Sequence, residues 1–468
     1  MPKPKLTFDL QNRAKKIQAI FCSLRFFMIQ TVNQHWDPLR VCAVGRSYPP
    51  EFYERITNIR VRTAMEKIAV ETEEDYQKLI SKLESFGVKV LRTDISKNFD
   101  DHWPGGEKPA PAPMTPRDHT AAVGGRFFMP SDRYGDNIDV ETIYNAILSK
   151  PLKDVNTPKF RMISSMIEDT LDPNNLSTGG SVLRFRSKDV YKRRRYAFSA
   201  LDVKEIKHKI LQAETLTIGK AGYWPMNKQH YSFKSIEDWL KENNIPIVYD
   251  EYINCGVMTR MGKDLYFGYG NIINKINEDR FYDKMSRLFP DHRTHFLHQN
   301  GHTDGCFTVV KPGLIITLRD IQNYEKTFPG WDVVTIPGES WDKISDFQKM
   351  KDVNKGKWWV EGEQNNEDLA DYINSWLDHW TTFAQESVFD TNMLVIDEKN
   401  VCVVSENPIV FKAFEKHGIT PHVINFRHRY FWDGGLHCMT SDIVREGKQV
   451  DYFPERGSQS VVKFWPHY

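Results

Sequence analysis

The sequence has no window of about 18 consecutive apolar residues, so no segment is expected to cross a bilayer as a helix. It also lacks a charge of either sign in excess. Its 63 Lys and Arg stand against 62 Asp and Glu, leaving +1, so no global field favours nucleic acid or a membrane surface. Cysteine is scarce: six in 468 residues, with no C-x-x-C pair, in a chain too large to need disulfide staples. These are expected to be reduced thiols in a reducing, cytoplasmic setting. Otherwise the composition is that of an ordinary soluble globular chain, 40% apolar and 27% charged.

Residues 1–27 stand apart. They carry Lys3, Lys5, Arg13, Lys15, Lys16 and Arg25 against the single acid Asp9. A basic, acid-poor start suits an organelle-targeting segment, mitochondrial in the alternative to the cytoplasm, although serines are few; a non-catalytic extension is the plainer expectation. The expected organisation is an extension over 1–30 and a single catalytic domain over 31–468. Within that domain, about 151–225 reads as an insertion, with a basic run from Arg184 through Arg195 that suits a solvated loop better than an anionic partner.

Elsewhere one unit recurs: two short apolar runs around a tight turn, an amphipathic helix, then another strand. The hairpins pair Ala121–Val123 with Phe127–Met129, Val257–Met261 with Leu265–Phe267, Phe307–Val310 with Leu314–Thr317, and Met393–Ile396 with Val401–Val404. Helices are expected over Thr72–Phe86, with Thr72 as cap, and over Ser235–Glu242, Asp279–Phe289 and Pro408–Lys416. Trp36–Arg46 opens a first copy. Such self-similarity points to modules closed around an axis. Asp118, Asn254 and Asp304 each lie three residues before a hairpin, and Asp390 and Asn392 precede the fourth. If the modules are equivalent, these short polar groups gather at one end of the axis, where a small charged molecule would bind.

Two glycine-flanked segments carry chemistry: Gly301-His302-Thr303-Asp304-Gly305 and Gly434-Gly435-Leu436-His437-Cys438. A thiolate is the strongest side-chain nucleophile near neutral pH, and a histidine can activate it or shuttle its proton. Cys438 is the candidate nucleophile and His302 the candidate acid/base. Asp304, two residues on, would share a face with His302 on a strand and could pair with a planar cation. His437 is a competing base, but neighbours on a strand point to opposite faces. No compact metal-ligand spacing occurs. The bland alternatives are a packing cysteine and an ordinary loop histidine.

The ordered segments Asn33–Leu39 with Val44-Gly45-Arg46, Pro116-Arg117-Asp118, His302-Thr303-Asp304, Asn392–Lys399, Phe414–Thr420 and Gly434–Asp442 resemble the glycine amidinotransferases, across roughly 31–447 outside the insertion. The resemblance implies an α/β propeller of five ββαβ modules with pseudo-fivefold symmetry, the pentein fold. It implies transfer of an amidino group from arginine, or a similar guanidino donor, to an amine through a covalent amidino-Cys438, with His302 giving and then taking the proton. Asp118 and Asp304 match carboxylates that bind or orient the substrate, and no metal or organic cofactor is implied. Arg319 lies near the position that holds the donor carboxylate, although a surface pairing with Asp320 or Glu325 is the competing account. Asn254 departs from the family, standing where a guanidinium-clamping Asp is usual. It would weaken cation binding, and it makes hydrolysis of a guanidino or ureido compound, as in arginine dihydrolases, the rival activity. The expected partners are small-molecule substrates and, at most, a second copy of the chain as a homodimer.

Overall fold

The computed structural model describes residues 32–103, 112–129, 233–249, 253, 255–268, 285–297, 303–318, 324–336, 362–363, 365–373, 390–432, 434–457 and 463–464. The 1–27 segment, the 151–225 insertion, His302, Asn254 and Arg319 lie outside these.

The described strands form five small sheets with one shared plan. In each, an inner strand pairs antiparallel with a middle strand, which pairs parallel with an outer strand. Strand β1 (Leu39–Val44) and β2 (Lys89–Arg92) flank the long helix α1 (Ile59–Ser85). Strands β3 (Ala121–Val123) and β4 (Arg126–Met129) precede helix α2 (Lys234–Glu242) and β5 (Ile247–Tyr249). The third sheet joins β6 (Met258–Met261), β7 (Asp264–Gly268) and β8 (Arg293–Leu297). In the fourth, β9 (Phe307–Lys311) and β10 (Leu314–Thr317) lead through the short helix α3 (Tyr324–Thr327) to β11 (Asp332–Thr335). Helix α4 (Glu367–Tyr372) then precedes the fifth sheet: β12 (Leu394–Asp397), β13 (Asn400–Val403), helix α5 (Pro408–His417) and β14 (Thr420–Val423).

The first sheet takes its inner strand from the far end of the chain. After helix α6 (Arg429–Trp432), β15 (Thr440–Arg445) pairs antiparallel with β1, and β16 (Lys463–Phe464) adds to the outer edge of β8. The segment around Trp36–Arg46 therefore supplies the middle strand of its module, not the opening one. The inner strands are buried almost throughout, whereas β2, β5, β11 and β14 are half-exposed. Apolar clusters fill the seams between neighbouring modules. They link the first to the second, the second to the third, the third to the fourth and fifth, and the fifth back to the first. This is the five-module α/β propeller that the resemblance implied, and it agrees with the closed ring of modules that the repeat suggested.

Local chemistry explains most elements. Gly124 and Gly125 both have positive φ, 54° and 80°, which the two-residue turn between β3 and β4 requires. Asn407 caps α5 with its side-chain oxygen on the amides of Ile409 and Val410, Pro408 occupies its first turn, and left-handed Gly418 ends it. One helix differs from expectation. Thr72 does not cap it; α1 begins at Ile59, where Asn58 accepts from the amides of Arg60 and Val61. Thr72 is buried in the helix middle, and its hydroxyl accepts from Trp432 Nε1 at 2.8 Å. The third-module helix is described only from Met285. No described helix is long and apolar enough to cross a membrane.

Candidate active site

The loops that precede the inner strands lie together at one end of the ring, tied by backbone hydrogen bonds. Cys255 N donates to Arg117 O (3.2 Å) and Thr120 O (3.0 Å), Thr303 N to Gly256 O (2.7 Å), and His437 N to Asn392 O (3.3 Å). Asp118 ends a single 3-10 turn before β3, Asp304 sits in another before β9, and Asn392 and Cys438 stand just ahead of β12 and β15, separated from them by Met393 and Met439. Equivalent positions in the repeat thus become neighbours in space.

Cys438 is buried, 8% exposed, and its Sγ meets two of these groups. The thiol donates to Asp304 Oδ2 at 3.3 Å, and Asn392 Nδ2 donates to the sulfur at 2.9 Å. Burial pushes the thiol well above its ordinary value, and the carboxylates of Asp304 and Asp118 push it the same way; the Asn392 amide opposes them. A negatively framed thiol is a poor resting nucleophile, and a cation bound between it and the carboxylates would reverse that.

His437 also reaches Asp304 Oδ2, through Nδ1 at 2.8 Å. The expectation that His437 and Cys438 face apart fails because residues 436–439 form a turn, in which strand alternation does not apply. Burial and the nearby Arg117 charge push His437 down to about 4, against the pull of Asp304, so the ring is neutral at physiological pH. The His35 ring lies tilted against it, with centroids 5.5 Å apart, and is likewise held low by burial and Arg260.

Beneath the thiol lies a charged hub. Asp442, fully buried on β15, pairs with Arg117 at 2.9 Å, Arg260 at 2.5 Å and Arg445 at 2.7 Å. Each arginine also donates to backbone carbonyls: Arg117 to those of His437 and Thr440, Arg260 to that of Ala122, Arg445 to those of Asp37 and Val395. Three modules are thereby pinned to one carboxylate under the nucleophile. The repeat pattern did not single these residues out, although the charges of Arg260, Asp442 and Arg445 inside inner strands were a visible signal.

The expected site residues therefore divide. Cys438, Asp304 and Asn392 touch one another, and Asp118 faces them through its charge. Asp390 is drawn elsewhere: its carboxylate accepts from Ser405 Oγ (3.0 Å) and from Nδ2 of the cap residue Asn407 (2.8 Å), which fits holding the start of α5 rather than binding substrate. His302, Asn254 and Arg319 fall outside the described residues. Cys255 and Gly256 connect the loop of Asp118 to that of Asp304 by backbone hydrogen bonds.

The similarity to known proteins follows the same line. The chain is 26% identical over 238 residues to the mitochondrial glycine amidinotransferase of Xenopus laevis, covering 48% of this chain and 47% of that protein. It is 22% identical over 228 residues to the L-arginine:L-lysine amidinotransferase of Pseudomonas savastanoi pv. phaseolicola, covering 46% and 52%. The chain spans about half the length of the curated relatives it matches. Among solved structures, the amidinotransferase SxtG of Microseira wollei superposes with a TM-score of 0.48 at 14% identity, over 91% of this chain and 99% of that one. No family model matches the sequence. The sequence comparison thus bears out the resemblance to amidinotransferases read from the ordered motifs.

Proposed function

We propose that this chain transfers an amidino group from arginine, or a similar guanidino donor, to an amine acceptor through a covalent amidino-cysteine at Cys438. One observation carries the proposal: a buried thiol faced by two carboxylates, Asp304 and Asp118. Such a setting opposes a free thiolate and favours a planar cation that can pair with carboxylate oxygens. The names of the similar proteins point the same way.

In the first half-reaction the donor guanidinium pairs with the carboxylates, which removes their hold on the thiol proton. The thiol proton passes to His302, the sulfur attacks the guanidinium carbon, the bond from that carbon to the side-chain nitrogen breaks, and His302 delivers the proton to the departing amine, ornithine if arginine is the donor. In the second, an acceptor amine attacks the amidino carbon, the carbon–sulfur bond breaks with its electron pair returning to sulfur, and the acceptor's surplus proton goes to His302. His437, neutral and fixed on Asp304, orients that carboxylate. Asn254 is assigned to the guanidinium position and Arg319 to the donor carboxylate.

The test is incubation with arginine, with and without candidate amines, measuring ornithine, ammonia and a new guanidino compound. Ornithine that requires the acceptor supports transfer. Ammonia formed without acceptor supports hydrolysis instead. Cys438→Ala should abolish turnover and the mass adduct formed with donor while keeping the fold; an active alanine variant removes Cys438 from the mechanism.

A further inference from the structure

Asn392 grips the nucleophile in three ways. Its backbone carbonyl accepts from His437 N at 3.3 Å, its Oδ1 accepts from Cys438 N at 3.0 Å, and its Nδ2 donates to Cys438 Sγ at 2.9 Å. The orientation of the amide is determined by chemistry. A backbone N–H can only donate, so the oxygen must face Cys438 N, and the NH2 group is left facing sulfur. A second Nδ2 contact, to Asp304 O at 3.5 Å, ties the same amide to the loop that carries the carboxylate. The side chain is 3% exposed, so water does not compete for these bonds.

The surroundings are built to admit it. At Gly435, three residues before the nucleophile, a Cβ would come within 2.6 Å of both Cβ and Oδ1 of Asn392 and 2.7 Å of its carbonyl oxygen. Any side chain there would displace the amide. On the opposite flank, Thr308 Oγ1 donates to Thr391 O, holding the segment that delivers Asn392.

Resting on the amidino-transfer reading, we propose that Asn392 is a catalytic residue whose amide N–H stabilises the negative charge on Cys438 Sγ when the thiolate attacks and when it departs. The charged groups facing that sulfur, Asp304 and Asp118, both act against the anion. Among the described neighbours, Asn392 is the side-chain donor aimed at it. In the first half-reaction the sulfur spends its pair on the carbon–sulfur bond. In the second, that bond breaks and the pair returns to sulfur, which is then the leaving group. A hydrogen bond to an anionic sulfur is stronger than one to a neutral thioether-like sulfur, so the amide assists expulsion as well as attack.

The experiment is the pH profile of Cys438 alkylation by iodoacetamide without substrate, followed on the Cys438 peptide by mass spectrometry. It is run on wild type, Asn392→Leu and the isosteric Asn392→Asp, with near-ultraviolet circular dichroism to verify folding. Alkylation of both variants should be about tenfold or more slower at about pH 8, with inflections moved to higher pH. In Asn392→Leu, turnover number should fall by about tenfold or more while donor KM stays within about twofold. Asn392→Asp keeps the acceptor for Cys438 N, so its folding should survive even if the leucine variant's does not. Wild-type profiles and turnover in a folded variant would overturn the inference. A shifted profile in a protein whose wild type releases no ornithine would instead sink the transfer reading and leave the thiolate contact standing.

Discussion

Arg117 donates its Nε to the carbonyl oxygens of His437, at 2.6 Å, and Thr440, at 2.9 Å, so a residue of the second module holds both ends of the turn that presents Cys438. Its guanidinium is at the same time paired with Asp442. The position demands an Nε–H set between two carbonyls and, at the same time, a terminal nitrogen set against Asp442, which a lysine ammonium cannot reproduce. Arg117→Lys should therefore keep the charge yet loosen the turn. The expected loss is roughly 3 kcal/mol of stability, in the range for disrupting a buried charged hydrogen-bond network. Turnover should fall by about tenfold or more. Urea unfolding and arginine turnover measure both; stability within about 0.5 kcal/mol of wild type would show that the fork is not needed.

Asp304→Asn separates thiol acidity from catalysis. The carboxylate accepts from the thiol and repels a thiolate, so removing its charge should make Cys438 more acidic. Alkylation without donor should become about tenfold faster near neutral pH, in line with the effect of one close like charge. Donor turnover should nevertheless drop by about a hundredfold or more, because the guanidinium loses its partner. An alkylation rate unchanged or slower than wild type would contradict the account of the thiol given by its neighbours.

His437 makes a separate prediction about stability and pH. Its folded value is pushed down to about 4, whereas an unfolded histidine titrates near 6.5. Between those values the unfolded chain binds a proton that the folded chain refuses. Stability should thus be fully present above about pH 6.5 and fall as the pH is lowered toward about 4, by roughly 3 kcal/mol from this group. His35, held low for similar reasons, adds in the same direction. His437→Gln retains a donor for Asp304 but cannot titrate, so its unfolding free energy should depend less steeply on pH across that window. Equal slopes in wild type and variant, from denaturant unfolding at several pH values, would show that His437 is not the titrating group.

Much of this was legible without coordinates, and for a definable reason. Hairpin turns depend on local backbone chemistry, so Gly124-Gly125 placed a turn correctly, and helix ends depend on caps, so Pro408 and Gly418 bounded α5 correctly. Repetition of the unit then implied equivalence, and equivalence implied that Asp118, Asn254, Asp304, Asp390 and Asn392 would gather. Asp304 and Asn392 meet at the Cys438 sulfur by direct hydrogen bonds, whereas Asp390 turns to Ser405 and Asn407. Where an interior residue imitated a cap, local reading failed: Thr72 looks like a helix start, but its hydroxyl serves Trp432 across 360 positions of sequence.

What tertiary structure alone decided is how the ring closes and what each gathered group does. No local signal pairs β1 with β15, because the two strands are joined only through the whole circuit of modules. The burial of Asp442 among Arg117, Arg260 and Arg445 has the same origin, since the four residues come from three modules and meet only when the circuit is complete. Even the sequence neighbours His437 and Cys438 owe their shared partner, Asp304, to a turn held by Arg117 and Asn392 from elsewhere in the ring. Sequence determines which chemistry each module can present, because turns, caps and apolar periodicity act over a few residues. The direction of a thiol, and the charge that faces it, arises from contacts between modules hundreds of residues apart.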